Sequence, residues 1–238
     1  EYYDDIFSVL KISMQNNTNR WINNGCDKYS NEEVINLINS CDNMYGALGI
    51  HPENVLDYKN ADLEFIEHNL NNPKVIAIGE IGLDYHYTKD NKEEQLQLFE
   101  KQLQIAEKNH LPVIIHSRDA TLDTLNTLKK YHVHGVIHSF SGSYEIAKEY
   151  IQMGFLLGIN GVITFKNANL KNVIQKIDLS NIILETDSPY LTPEPFRGQK
   201  NNPSHIFEIA KFICTLKKCS LLELSEITNK NIAKLFHI

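Results

Sequence analysis

The sequence predicts an α/β fold, a TIM-like (β/α)8 barrel whose first strand is absent from this 238-residue chain. Seven short apolar runs rich in β-branched residues alternate with amphipathic stretches of helical spacing, as in parallel βα units. Several runs end at an ionisable residue, and functional groups at the carboxyl ends of many strands are typical of a barrel. The glycine-rich turns of nucleotide-binding sheets, GxGxxG and GxxxxGK[ST], do not occur. The barrel is therefore favoured over an open sheet.

The strands are predicted, in chain order, at residues 21–26, 45–50, 75–78, 113–115, 135–137, 155–159 and 182–184. Their nearly continuous apolar character is that of strands buried on both faces. Helical spacing predicts helices at 31–41, 63–70, 93–108, 120–131, 144–153, 170–177, 203–216 and 221–236. No low-complexity segment or Pro/Gly/Ser linker marks a domain boundary. We therefore interpret residues 1–238 as a single domain.

The strand count falls one short of a closed barrel, which has eight strands. The chain opens on residues 1–5, EYYDD, a stretch that looks like loop or helix rather than strand. We therefore expect the missing strand to be the first one, and the domain to be incomplete at its N-terminus.

Composition and charge limit the classes of function. The chain is 42% hydrophobic and 22% charged, as in an ordinary soluble globular protein. It has neither an apolar run of membrane-spanning length nor a signal peptide, and its four cysteines make neither a disulfide framework nor paired CxxC motifs. We expect a cytoplasmic protein without a membrane partner. The net charge of −7 argues against non-specific coating of nucleic acid, but it allows an enzyme that binds a few phosphates.

Four ionisable residues on four different predicted strands carry the predicted chemistry: Glu80, His116, His138 and Asp187. The carboxyl ends of the strands of one barrel lie at a single mouth, so these side chains are expected to converge. Two carboxylates beside two imidazoles, without a thiolate, suit a divalent ion such as Zn²⁺, Mn²⁺ or Mg²⁺. The alternative is a buried polar network that ties the strand ends together.

Seven short strings along the chain resemble the TatD family of metal-dependent deoxyribonucleases, in the family's order and spacing. They are GIHPE at 49–53, GEIGLDYHYT at 79–88, PVIIHSRDA at 112–120, HSFSGS at 138–143, NGVITFKNA at 160–168, ETDSPYL at 185–191 and RGxxNxP at 197–203. The resemblance extends from about residue 45 to the closing NIAKLFHI, and it is loose before residue 45. It implies a distorted TIM barrel that hydrolyses phosphodiester bonds in DNA with divalent metals.

The resemblance also implies catalytic roles for Glu80 and Asp187. Glu80 matches the carboxylate that bridges two metals, and His116 and His138 match further ligands of one of them. Asp187 matches the ligand of the other metal, which also orients or deprotonates the attacking water. The two-metal mechanism expected of the family needs no covalent nucleophile. The family's His-x-His pair on the first strand has no counterpart here, so the second metal site is expected to keep only Glu80 and Asp187.

Further residues are predicted to contact the substrate. Arg118 follows His116 by two residues and could clamp a phosphate, or form a salt bridge with Asp119 or Asp84. Loops after the last barrel strands often bind phosphate. The predicted contacts are Arg118, Arg197, His51, Asn202, His205, Asp84 and Tyr85.

Three functions are compatible with these sequence features. The first is a metal-dependent DNase, exonuclease-like, acting on single-stranded DNA or frayed ends without an obligate protein partner. The second is a related metallohydrolase of an acyl or ester bond, such as an aminoacyl-tRNA deacylase. The third is a non-catalytic barrel that has lost its metal. Basic residues in the mouth loops favour the first: Arg118, Arg197, Lys166 and Lys200.

Overall fold

The computed structural model describes residues 5–238, in which seven parallel strands form one curled sheet. The strands pair in chain order, and within these residues no pairing joins the first to the last, so the sheet is a half-barrel. The strands are β1 Trp21–Asn24, β2 Met44–Leu48, β3 Val75–Asp84, β4 Val113–Arg118, β5 Gly135–Ile137, β6 Leu156–Ile159 and β7 Ile182–Leu184. The predicted α/β fold with seven parallel strands is confirmed.

Helices follow or connect the strands, as βα units require. They are α1 Ile6–Gln15, α2 Lys28–Ser40, α3 Asn60–Asn69, α4 Lys92–Asn109, α5 Thr121–Leu128, α6 Tyr144–Gln152, α7 Leu170–Lys176, α8 Ile206–Lys217 and α9 Leu221–Phe236. Short 3₁₀ turns lie at Pro52–Asn54, Gly161–Thr164, Leu179–Asn181 and Pro203–His205. The stretch that leads into β1 is thus a helix, α1, which the sequence prediction did not delimit. None of the helices between residues 5 and 238 combines the length and apolar character that crossing a membrane requires.

Both faces of the sheet are buried, and side chains alternate between them along each strand. On β4, Val113 and Ile115 belong to the larger apolar cluster, whereas Ile114 belongs to a smaller one that includes Leu235 and Phe236 of α9. The C-terminal helix therefore packs against the face of the sheet that carries Ile114. His116 lies two residues beyond Ile114, so it shares this face.

Two strands are longer than the sequence predicts. The apolar run that marks β3 stops at Ile78, but the strand continues through Glu80 to Asp84, and β4 continues through His116 to Arg118. A register shift between Ile78 and Ile81 interrupts the pairing of β3 with β4. Glu80 lies in this irregular segment, and such bulges re-aim side chains. The polar residues belong to the strands themselves, which hydropathy alone does not indicate.

Candidate metal centre

The four residues predicted to converge form one cluster, in which Oε1 of Glu80 lies near both histidines. Nδ1 of His116 is 2.8 Å from it, and Nε2 of His138 is 3.9 Å away. Asp187 joins the group through its Oδ1, which lies 3.3 Å from Nε2 of His138. Glu80 is only 9% exposed, and its N–H donates to the carbonyl of Gly25, which follows β1. The carboxylate is thus anchored in the middle of the cluster.

His116 is held between two carboxylates. Its Nδ1 faces Glu80, and its Nε2 lies 2.9 Å from Oδ2 of Asp84. Asp84 is 4% exposed, so this contact fixes the orientation of the ring from the protein interior. Metal-binding histidines commonly use their second nitrogen in this way. The sequence predicts Asp84 as a substrate contact, but the structure places it behind His116, where it orients the ring.

His138 has an equivalent partner that the sequence prediction missed. Its Nδ1 lies 2.9 Å from Oε2 of Glu185, whose Oε1 accepts the N–H of Ser139 at 2.7 Å. The second nitrogen, Nε2, is thereby directed toward Glu80 and Asp187. The available signal was position, because Glu185 follows the apolar run of β7 directly. A carboxylate at that point needs a partner, and His138 supplies it.

His51 also belongs to the ligand cluster, although the sequence predicts it as a substrate contact. Its Nε2 is 3.9 Å from Oε1 of Glu80, and its ring lies edge-on to that of His116 with centroids 4.3 Å apart. The backbone N–H of His51 donates to the carbonyl of Cys26, and Nδ1 accepts the N–H of Glu53. The ring therefore presents only Nε2 to the centre.

His51, Glu80 and His116 each offer one ligand atom, and these three atoms lie within 4.8 Å of one another. Two imidazole nitrogens and a carboxylate oxygen form a donor set that suits Zn²⁺ or Mn²⁺. The residues thus fit a divalent ion. The cluster groups His51 with Glu80 and His116, whereas the resemblance grouped His138 with them. His138 lies on the Asp187 side of Glu80.

Protonation in the cluster follows from burial and from neighbouring charges. Burial, reinforced by His116, lowers the pKa of His51 to about 4, so this ring is neutral. Burial opposes protonation of His116 too, but its hydrogen bonds with Asp84 and Glu80 raise its pKa to about 9. Burial acts to raise the pKa of Glu80, yet the charge of His138 and the bond from His116 lower it. Metal binding needs neutral imidazoles, so it must release protons.

The carboxylates Glu185 and Glu80 have the same effect on His138. Burial disfavours its protonated form, but these two charges raise the pKa well above the usual value. Without a metal, His116 and His138 therefore carry positive charge that offsets the surrounding carboxylates. A divalent ion would replace this charge when it displaces the protons.

Arg118 lies at the mouth without a carboxylate partner. Its guanidinium stacks over the ring of Tyr87 at 5.1 Å, and within residues 5–238 no acidic oxygen lies within 4 Å of it. Asp119, the alternative partner considered from the sequence, pairs with Nδ1 of His86 at 3.0 Å. Tyr87 is 72% exposed, so the pair is open to solvent. The predicted phosphate contact of Arg118 remains a prediction that this placement permits.

The loop after β7 places its predicted residues in contacts with the protein. Arg197 lies 3.8 Å above the ring of Phe165. The ring of His205 stacks on Phe196, and its two nitrogens lie 2.9 Å from Oδ1 of Asn201 and 3.1 Å from Nδ2 of Asn202. Burial lowers the pKa of His205, which favours the neutral form of the ring. Phosphate contacts by Arg197, Asn202 and His205 stay predictions.

The side chain of Tyr85 is buried against α5. It is 3% exposed, and its hydroxyl donates to Oδ2 of Asp123 on α5 at 3.0 Å. The ammonium of Lys92 lies 4.0 Å above its ring. These contacts give Tyr85 a packing role, and they do not support the predicted substrate contact.

A half-barrel of βα units with a His/Glu/His cluster at the carboxyl ends of its strands is typical of metal-dependent hydrolases. Comparison with known proteins agrees. The model of the TatD related DNase family matches residues 1–237. The chain is 39% identical over 243 residues to the uncharacterized metal-dependent hydrolase YabD of Bacillus subtilis, covering 100% of this chain and 95% of that protein. The chain therefore belongs to the TatD family of metal-dependent hydrolases.

Solved structures of the family share the fold. The crystal structure of YjjV, a TatD homolog from Escherichia coli K12, matches with a TM-score of 0.92 at 30% identity, covering 98% of this chain and 92% of that one. A TatD family hydrolase from Entamoeba histolytica matches with a TM-score of 0.88 at 25% identity, covering 99% and 90%. The resemblance noted from the sequence motifs is confirmed over the whole chain.

Proposed function

We propose that this protein is a deoxyribonuclease that hydrolyses phosphodiester bonds in DNA with the help of divalent metal. The observation that carries the proposal is the cluster around Oε1 of Glu80, with imidazole nitrogens of His116, His51 and His138 at 2.8, 3.9 and 3.9 Å. The family name supports a DNA substrate. The proposal includes a second metal, which Glu80 and Asp187 would hold together with His138.

His51, Glu80 and His116 would hold one ion, and Glu80, His138 and Asp187 would hold a second. A divalent ion there supplies a Lewis acid and lowers the pKa of water toward neutrality. Asp187 is the most exposed member of the cluster, with 29% of its side chain accessible. This exposure supports a role for its carboxylate in orienting a water and accepting its proton. His138, 3.3 Å away, fixes Asp187 in that orientation.

The surroundings of the cluster carry the charge that a phosphodiester requires. Arg118 follows His116 at the end of β4, and its guanidinium is engaged with an exposed tyrosine ring rather than with a carboxylate. One of its N–H groups donates to the hydroxyl of Tyr87 at a long 3.5 Å, and the guanidinium could exchange this contact for a bidentate contact with a phosphate. An exposed ring beside it, Tyr87, can stack on an unpaired base, which supports single-stranded DNA or frayed ends as substrate. The four cysteines are unpaired, which supports a cytoplasmic location.

Cleavage of labelled DNA tests this function. The purified chain would be loaded in turn with Mg²⁺, Mn²⁺ or Zn²⁺ and incubated with single-stranded, frayed and blunt-ended oligonucleotides that carry a label at either end. We expect metal-dependent cleavage that favours unpaired ends and is abolished by chelation and by Asp187→Asn. An aminoacyl ester is included as a competing substrate. Hydrolysis of that ester with intact DNA in every metal would replace the nuclease proposal with the deacylase alternative.

A further inference from the structure

Two glutamines interrupt the apolar face of α4. Gln95 and Gln102 are 2% and 1% exposed, and they lie among the buried residues Leu98, Phe99 and Leu103 of the same helix. They are seven positions apart, or nearly two full turns, so both side chains leave the helix on one face about 10 Å apart. Burying an amide costs free energy unless its hydrogen bonds are made. Both positions therefore serve a purpose other than apolar packing.

Each glutamine makes a pair of hydrogen bonds with the backbone of a single residue. Oε1 of Gln95 accepts the N–H of Asp84 at 2.9 Å, and its Nε2 donates to the carbonyl of Asp84 at 2.8 Å and to Oδ1 of Asn91 at 3.0 Å. Oε1 of Gln102 accepts the N–H of Ile50 at 2.7 Å, and its Nε2 donates to the carbonyl of Ile50 at 3.0 Å. Each amide thus holds both backbone groups of one residue at or just beyond the end of a strand, an arrangement that we call a clamp.

The two clamped residues adjoin two members of the metal cluster. Asp84 is the last residue of β3, and its carboxylate holds Nε2 of His116. Ile50 follows β2 and directly precedes His51. A third buried amide, Asn31 of α2, clamps Gly49 in the same manner, with bonds of 2.8 and 3.1 Å.

We propose that Gln95 and Gln102 are positioning residues that set the spacing of His51 and His116 around Glu80. An α-helix is stiff over two turns, so it holds the ends of β2 and β3 at a fixed separation. The separation that the two glutamines would set is that of the His51 and His116 rings, whose centroids are 4.3 Å apart. The proposal rests on the metal centre, and it does not depend on the substrate being DNA.

Loss of a clamp should weaken metal binding more than it weakens the fold. Partners that orient metal ligands from outside the coordination shell contribute about 10- to 100-fold to metal affinity. A displacement of His51 moves one ligand, and a displacement of Asp84 moves His116, which it holds. Either change separates ligand atoms that must meet at one ion. Each clamp acts on one histidine, so either substitution alone should lower the affinity by about tenfold or more.

Titration with Co²⁺ tests the proposal, because its visible absorption bands report both occupancy and ligand geometry. The variants are Gln95→Met and Gln102→Met, which keep the side-chain length and remove both hydrogen bonds. Asn231→Met is the matched control. Asn231 on α9 donates two hydrogen bonds, of 2.9 and 2.8 Å, to the carbonyls of Leu179 and Ile182 near the opposite end of β7. Folding is followed by circular dichroism and thermal unfolding of the metal-free chains.

We expect Gln95→Met and Gln102→Met to bind Co²⁺ at least tenfold more weakly with altered absorption bands, and Asn231→Met to bind within about twofold of the unmodified chain. If a Met variant does not fold, the Asn variant at that position replaces it. Its shorter amide cannot reach both backbone groups. Unchanged affinity and spectrum in the folded variants would overturn the proposal. An equal loss in Asn231→Met would also overturn it. If the unmodified chain bound no Co²⁺, the metal centre and this proposal would both be wrong. Normal Co²⁺ binding without cleavage in the DNA assay would refute the nuclease function alone.

Discussion

A single methyl group placed at Gly158 is predicted to disturb the metal centre through Glu185. A Cβ atom at Gly158 on β6 would lie 2.5 Å from Oε2 and 2.8 Å from Cδ of Glu185. Ordinary contact begins at 3.4 Å, so the carboxylate must retreat by about 0.9 Å, the difference between 2.5 and 3.4 Å. The backbone itself tolerates alanine, because the φ angle of Gly158 lies outside the left-handed region.

This displacement of the Glu185 carboxylate would disrupt its two short hydrogen bonds. Glu185 lies 2.9 Å from Nδ1 of His138 and accepts the N–H of Ser139 at 2.7 Å. Hydrogen bonds to charged groups contribute about 1.5–3 kcal/mol. Every 1.4 kcal/mol corresponds to a factor of ten in an equilibrium constant, so release of His138 should lower metal affinity by about 10- to 100-fold. The fold should persist, since the displaced atoms are the end of a flexible side chain.

Calorimetric titration with Mn²⁺ measures this effect in Gly158→Ala, in Glu185→Ala and in the double variant. The methyl group acts through Glu185, so it should have no further effect once that carboxylate has been removed. Affinity in Gly158→Ala within twofold of the unmodified chain would show that the methyl group does not disturb the metal centre. A Gly158→Ala effect of the same size in the Glu185→Ala background would show that the methyl group does not act through Glu185.

Further predictions concern turnover, substrate binding and pH. Asp187→Asn should abolish DNA cleavage and leave the melting temperature nearly unchanged, and wild-type rates in this variant would remove Asp187 from the mechanism. Arg118→Ala and Arg197→Ala should each raise KM for DNA and lower the salt slope by about one, because fewer counterions are released; an unchanged slope would assign them to structure. Folding raises the pKa of His116 from 6.5 to about 9. Protonation of His116 therefore stabilises the metal-free fold fully below pH 6.5, and this stabilisation is lost as the pH rises through 9. Apparent metal affinity should rise over the same interval, by about tenfold per pH unit for each proton displaced, and a flat profile in calorimetry would contradict this.

The fold could be predicted from the sequence because its strands are apolar runs with little ambiguity. The segments at 113–115, 135–137 and 182–184 were located to within a few residues, since burial on both faces leaves a continuous apolar signal. The extension of β3 to Asp84 could not be predicted in this way. Its outer half contains Glu80 and Gly82, and Gly82 is required because a Cβ there would lie 2.0 Å from the carbonyl oxygen of His116. Such a close approach of two strands produces no periodic pattern of apolar residues in the sequence.

The candidate site was predicted in part. Position at strand ends sufficed to bring Glu80, His116 and His138 together, because parallel strands end at one mouth. It could not separate ligands from the residues that orient them. Asp84 and His51 were both expected to contact substrate, but His51 lies among the ligands and Asp84 orients His116. A one-dimensional pattern does not tell which side of a ring a neighbour occupies. Glu185 was missed for the same reason.

Buried amides are a further class of residue that sequence patterns conceal. Gln95 and Gln102 occupy positions of α4 that helical spacing assigns to the buried face, and glutamine is a good helix former wherever it occurs. Their role becomes visible only when the backbone groups of Asp84 and Ile50 are seen to bond with them.

Glu80 is the residue on which the proposed divalent metal centre depends, and the metal content of the purified chain tests this role. Elemental analysis after equilibrium dialysis against Zn²⁺ or Mn²⁺ would compare the unmodified chain with Glu80→Gln and with Glu67→Gln. Glu67 is a surface carboxylate that pairs with Lys108 at 3.2 Å and serves as the control. We predict one bound ion or more per chain for the unmodified protein and for Glu67→Gln, and loss of the ion in Glu80→Gln at the same metal concentration. Equal metal content in all three chains would show that Glu80 is not needed to bind metal.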